Sequence, residues 1–198
     1  MKKTIIEIGG IDGVGKSTQV KLLYNYFSKK GLEVFIPDPV VYFNSDYPQS
    51  LEERRGWYIS KDPREIAKIN LVGAKRRNDL CQNIKSDIIL LDRGYITTKS
   101  SAIARLIKTK TFKESKKIVD TLCQDIHYVP IEDFHIIYFA EIKLIKQRFL
   151  GITTEFEQYL NNFRIAIDAV SLEHNNIYRI DSHQDEKGVT NKTLEYIL

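Results

Sequence analysis

"IEIGGIDGVGKSTQV", residues 6–20, joins an apolar strand to a helix-spaced segment through a glycine-rich turn. Gly10, Gly15, Lys16 and Ser17 complete the pattern G-x-x-x-x-G-K-[ST]. Glycines at these places let the backbone curl so that its N–H groups face inward around a polyphosphate. Lys16 adds a mobile positive charge, and Ser17 offers an oxygen to Mg²⁺. The helix that begins near Lys16 points its positive end at the same anion. Strand, loop and helix come in the required order, so Gly10, Ile11, Asp12, Gly13, Val14, Gly15, Lys16, Ser17 and Thr18 are read as a phosphate-binding P-loop. A carboxylate at Asp12, beside phosphates, is unfavourable unless it meets a metal ion or an acceptor group, so it is read as functional.

Outward from this loop the chain alternates apolar and helical stretches in the βαβ manner. Strands are expected over 4–9, 32–36, 87–91, 135–140 and 176–180. Several are continuously apolar, as strands covered on both faces should be. Helices are expected near 16–30, 51–59, 63–84, 96–108, 114–127, 141–149, 154–174 and 189–198. The clearest carries Phe156, Tyr159, Leu160, Phe163, Ile167 and Val170 at spacings of three and four, an apolar stripe read as core. With no repeat, low-complexity tract or linker, residues 1–198 read as one α/β domain. Its expected architecture is a P-loop NTPase fold, a five-stranded, mostly parallel sheet flanked by helices.

Composition is that of an ordinary globular protein: 198 residues, 42% hydrophobic and 28% charged, with a net charge of +4. That balance mildly favours anionic ligands and does not by itself call for nucleic acid. The basic run "KTKTFKESKK" (108–117) reads as a solvated face. Two cysteines, Cys81 and Cys123, lie apart in helical patterns, and four scattered histidines show no metal-ligand spacing. The start "MKKTIIEIGG" resembles a signal peptide, but Glu7 interrupts its apolar run and the P-loop follows at once. No stretch reaches membrane-spanning length. The expectation is a soluble cytoplasmic protein with neither nucleic acid nor membrane as partner.

In parallel sheets ligands gather beyond the carboxyl ends of the strands. Strand two ends in "PDPV", which puts Asp38 at the rim. Strand three ends in "LLDRGY", which delivers Asp92 and Arg93. An Asp after "IILL" suits a carboxylate that orients Mg²⁺ through water, so Asp92 joins Ser17 as a metal-site residue. Arg93 facing a P-loop can clamp a second phosphate bidentately. The helix after strand four brings Arg148. In "LVGAKRRNDL" (71–80), Arg76 and Arg77 point about 100° apart, so at most one faces the crevice.

These residues resemble the thymidylate kinase family of nucleoside monophosphate kinases along nearly the whole chain. "IEIGGIDGVGKSTQ" resembles its P-loop, including the Asp at position 12. "IILLDRGYITTKSSAIA" is similar to its D-R signature, and "LVGAKRRNDL" to its helix motif, where Arg76 matches the family Arg better than Arg77. "FHIIYFAEIKLIKQRF", "EFEQYLNNFRIAI" and "IYRIDSHQ" resemble the strands and helices around its lid and adenine-side loop. The resemblance implies transfer of the ATP γ-phosphoryl group to a nucleoside monophosphate, with ATP and Mg²⁺ as cofactors and a homodimeric assembly. Lys16, Asp12, Arg93 and Arg148 would then be catalytic, and Asp38, Arg76 and Arg93 would bind the acceptor. The family's base-stacking aromatic is Val72 here, its Tyr-Gln pair after D-R is absent, and the lid near 148–155 is short and keeps only Arg148. No strong preference for thymidylate is therefore expected.

Two other readings stay open. In "IPDPVVYF" the chain also resembles deoxynucleoside kinases, with Asp38 as general base toward a neutral nucleoside. The reduced lid also suits a nucleotide-binding protein without turnover.

Overall fold

The computed structural model describes residues 3–48, 50–148 and 152–198. Five strands form one sheet: β1 (Thr4–Gly9), β2 (Val34–Phe35), β3 (Ile88–Asp92), β4 (Phe134–Phe139) and β5 (Ile177–Asp181). Their spatial order is β2-β3-β1-β4-β5, and all four pairings are parallel. The expected "mostly parallel" sheet is thus wholly parallel among the described residues. Ile6, Ile8, Leu90 and Ile136 have no exposed surface, which is why these strands read as unbroken apolar runs. Strand β2 is shorter than the 32–36 expected: at the sheet edge, Val34 and Phe35 pair with Ile88 and Ile89 of β3.

The helices are α1 (Lys16–Lys29), α2 (Leu51–Ser60), α3 (Pro63–Asn83), α4 (Tyr95–Leu106), α5 (Phe112–Asp125), α6 (Ile142–Arg148), α7 (Thr154–Ser171) and α8 (Glu186–Ile197). Their starts follow local chemistry. Ser50 with Glu53 and Thr111 with Glu114 form reciprocal capping boxes on α2 and α5. Asp62 caps α3 ahead of Pro63, and Asp185 caps α8. A 3₁₀ turn at Val40–Phe43 has no counterpart in the sequence reading. It packs so closely on α3 that a Cβ on Gly73 would lie 2.8 Å from the Val40 carbonyl oxygen.

The strand order reverses at β1, whose neighbours β3 and β4 lead to opposite sides of the sheet. The crevice at such a switch point is where α/β sheets bind ligands, and the P-loop leaves β1 there. Both cysteines are buried free thiols. No helix among the described residues is long and apolar enough to cross a membrane.

Candidate functional site

The P-loop is shaped by glycines in backbone conformations that L-residues resist: φ is +128° at Gly10, +87° at Gly13 and +91° at Gly15. Gly10 has a second constraint, since a Cβ there would fall 2.3 Å from the Tyr138 carbonyl oxygen on β4. Its N–H donates to Thr97 Oγ1 at 3.2 Å, which ties the loop to α4, the helix after β3. Gly15 sits at the start of α1 with nothing within 4 Å of where a Cβ would be, so the inside of the loop is open.

Around that opening lies a cleft of about 490 Å³, lined by Asp12, Lys16, Ser17, Asp92, Arg93 and Arg148 together with loop backbone and Phe156. Its volume suits a small-molecule ligand. Lys16 Nζ folds back to donate to the Ile11 carbonyl at 2.8 Å and stands 4.0 Å from Asp12. Burial, with the Arg93 charge adding to it, pushes the Lys16 ammonium down to about 8, although Asp12 and Asp92 oppose the shift. Arg93 pairs with the Asp12 carboxylate. Burial alone would raise the Asp12 carboxyl, but the Arg93 and Lys16 charges outweigh it and hold it below its usual range. The loop carboxylate thus bridges two cations in a pocket built for anions.

Ser17 Oγ donates to Asp92 Oδ2 at 3.0 Å, which joins the two expected metal-site residues. Asp92 Oδ1 is buried and has no hydrogen-bond partner among the described residues. A buried carboxylate oxygen left without a donor costs free energy, and a divalent cation is one group that would satisfy it. The hydroxyl and carboxylate therefore fit a Mg²⁺ ion, and the positive-φ loop fits a polyphosphate.

Arg148, at the end of α6, donates to the Gly13 carbonyl at 2.9 Å and the Ser182 carbonyl at 3.2 Å. It fastens the P-loop to the loop after β5. Of the expected lid near 148–155, residues 149–151 lie outside the described residues.

Asp38 and Arg76 are not brought into this cluster. Asp38 is exposed and is not among the described residues that line the cleft. Arg76 is exposed too, and it donates to the Phe43 carbonyl of the 3₁₀ turn at 3.2 Å. The arginine that faces inward is Arg77, only 1% exposed. Helix phase carried that signal: Ala74, Arg77 and Cys81 follow at spacings of three and four, and Ala74 and Cys81 are fully buried.

Sequence reasoning also passed over the support beneath Arg93. Gly94 precedes α4 with no side-chain cap. Two carboxylates, Glu7 fully buried and Glu132 half-buried, take the cap's place. Glu132 accepts from the Tyr95 N–H at 2.7 Å, and Glu7 accepts from Ile96 and Thr97 at 3.2 and 2.8 Å. Only glycine fits at position 94, since a Cβ would stand 2.5 Å from Glu132 Oε1. His135 Nδ1 lies 2.7 Å from Glu7. A charged residue amid the isoleucines of β1 was the visible sign. Phe156 carries a double role: it belongs to the α7 stripe, but it also lines the cleft and stacks on Tyr159, with centroids 6.1 Å apart.

No family model matches the chain. A thymidylate kinase from Desulfotalea psychrophila is 32% identical over 103 residues, which is 48% of this chain and 47% of that protein. The chain thus matches about half the length of that curated relative. Among solved structures, thymidylate kinase from Candida albicans superposes with a TM-score of 0.73 at 16% identity, covering 98% of this chain and 91% of that one. Deoxyadenosine kinase from M. mycoides with bound dATP gives 0.68 at 16% identity, covering 98% and 99%. The fold is that of P-loop kinases. In sequence, the likeness to thymidylate kinase extends over 48% of the chain.

Proposed function

We propose that the protein is a nucleotide kinase that moves the γ-phosphoryl group of ATP to a nucleoside monophosphate. The observation that carries this reading is Arg93, set against Asp12 at the mouth of the P-loop. A nucleotide hydrolase needs a placed water at that point, whereas a kinase needs a cationic seat for an acceptor. Arg93 supplies the planar fork that a phosphate accepts. The sequence likeness to the D. psychrophila thymidylate kinase supports the same reading.

On this reading the P-loop amides and Lys16 hold the β- and γ-phosphates. Arg93 leaves Asp12 to take the acceptor phosphate, which brings the acceptor oxygen into line with the γ-phosphorus. Asp12 then stays beside Lys16, 4.0 Å away, and keeps that ammonium in place. Ser17 and Asp92 would hold Mg²⁺, which supplies charge neutralisation on the phosphate oxygens. Rate enhancement comes from positioning and electrostatics, with little call for a strong base.

Asp38 as the base of a deoxynucleoside kinase has less support, since it stands exposed and apart from the cleft lining. Steady-state kcat/KM for thymidine, deoxycytidine and deoxyadenosine against their 5′-monophosphates separates the two readings. Turnover on monophosphates alone is expected, and turnover on nucleosides alone would reverse the assignment.

Base choice should be loose. Val72, half-buried on α3, offers apolar contact but no flat wall, and discrimination without a directed hydrogen-bond pair is of order 10–200-fold. The C. albicans enzyme is itself described as having broad substrate specificity. In the same panel, the preference for dTMP over dUMP and dCMP should stay within that range. A preference above about a thousandfold would mean that another group reads the base.

ATP affinity should depend on pH through Lys16. Its ammonium is held near 8 in the free protein, and the negative charge of bound phosphates would raise it again. Because the folded-state value is depressed, the free protein loses this charge as pH rises through about 8, and ATP must then bind with uptake of a proton. Affinity should fall about tenfold from pH 7 to pH 9. Calorimetry in two buffers of different ionisation enthalpy reads the proton uptake directly. Constant affinity across that interval would show that Lys16 stays charged without ligand.

A further inference from the structure

We propose that Arg77 is a positioning residue for the acceptor phosphate: its buried guanidinium grips the backbone carbonyls of Asp92 and Arg93 and so keeps the Arg93 side chain aimed into the cleft. The inference rests on the reading of Arg93 as the acceptor clamp.

Arg93 has φ +67°, the left-handed region that non-glycine residues avoid. A conformation of this kind persists only where its surroundings hold it. Here they do so from both sides. The Arg93 N–H donates to the Ile8 carbonyl at 3.1 Å. Arg77 Nη1 donates to the Asp92 carbonyl at 3.1 Å, and Arg77 Nη2 donates to the Arg93 carbonyl. Just downstream, Glu132 and Glu7 take the amides of Tyr95, Ile96 and Thr97. Carbonyls on one side and amides on the other fix the whole turn from Asp92 into α4.

Arg77 is a costly residue for mere core filling. It is 1% exposed, and among the described residues its Nε has no hydrogen-bond partner. A buried charge needs hydrogen-bond acceptors, and the two carbonyls supply them to the parallel arms of one fork. An apolar side chain would fill the same space without that cost, but it would leave both carbonyls without this donor. A lysine carries the charge as a single point and lacks the rigid fork that sets two donors side by side in one plane. If the turn relaxed to ordinary φ, the Cα–Cβ bond of Arg93 would swing away from Asp12.

The test uses Arg77→Lys and Arg77→Met in the full chain. Four quantities are measured: melting temperature, ATP affinity by calorimetry, kcat and KM for dTMP, and hydrogen exchange at the amides of residues 93–97. In a folded Arg77→Lys protein, the dTMP KM should rise at least about tenfold and exchange at 93–97 should quicken, while ATP affinity stays within about twofold. Unchanged KM and unchanged exchange would overturn the inference. So would a parallel loss of ATP and dTMP affinity, which marks a general structural role. If the wild type phosphorylates no monophosphate, the kinase reading fails, and exchange at 93–97 still decides whether Arg77 holds the turn. If neither variant folds, the wild type answers by NMR. Resolved, slowly rotating Arg77 Nη protons support the grip, and freely averaged ones refute it.

Discussion

Replacing Lys16 by alanine should lower kcat at least about a hundredfold while the protein stays folded, comparable to removing one strong electrostatic contact to a transition state. Lys16 is buried, but it is buried against the P-loop. Its ammonium bonds the Ile11 carbonyl at 2.8 Å and faces Asp12 at 4.0 Å, and it lines the cleft. Truncation therefore removes a charge from the phosphate site and takes no apolar side chain from the core. The charge matters most when negative charge spreads over the moving phosphoryl group, so the loss should fall mainly on kcat. Melting temperature and ATP binding, measured beside turnover, separate this outcome from unfolding. An alanine variant with wild-type kcat would remove Lys16 from the mechanism.

Arg93→Lys should cost nearly as much, and on the other substrate. Hydrogen bonds to charged groups contribute about 1.5–3 kcal/mol, so loss of one arm of the fork predicts roughly a 10- to 100-fold fall in kcat/KM for the monophosphate. ATP affinity should hardly move, because the ATP phosphates rest on the P-loop amides and Lys16. Arg93→Met, with no charge at all, should fall further and also release Asp12 from its partner. The Asp12 carboxyl, kept low by Arg93 and Lys16, would then titrate closer to its ordinary range. Kinetics with each substrate varied in turn make the separation. Equal losses in ATP and acceptor affinity would mean that Arg93 serves the donor side instead.

Much of this site can be read in the chain because the P-loop is local. Gly10, Gly15, Lys16 and Ser17 stand next to one another in sequence, and the loop they form depends mainly on their own backbone preferences. The strands were legible for a related reason: a sheet covered on both faces demands continuous apolar runs, as in Ile88–Leu91. Asp92 and Arg93 were legible because they end such a run.

What escaped was long-range. Nothing around position 93 shows that a non-glycine residue there adopts positive φ, since the partners that enforce it come from Ile8 and Arg77. Motif likeness singled out Arg76, which is exposed, and passed over Arg77, which the helix phase of Ala74 and Cys81 turns toward the core. Asp38 was placed at the rim because β2 ends nearby; that strand has only two residues, lies at the sheet edge beside β3, and leaves Asp38 exposed. Glu7 reaches α4 from within β1 and Glu132 from the loop before β4, a pairing that no spacing along the chain announces.

The central claim is that the cleft joins a polyphosphate donor to an acceptor that already carries a phosphate. The most direct test is ³¹P NMR of the wild-type protein with ATP, Mg²⁺ and dTMP, followed over time. The account predicts loss of the ATP γ resonance with matched growth of ADP and a second nucleoside diphosphate, and little free phosphate. Growth of inorganic phosphate alone, or no change in ATP while it binds, would contradict it.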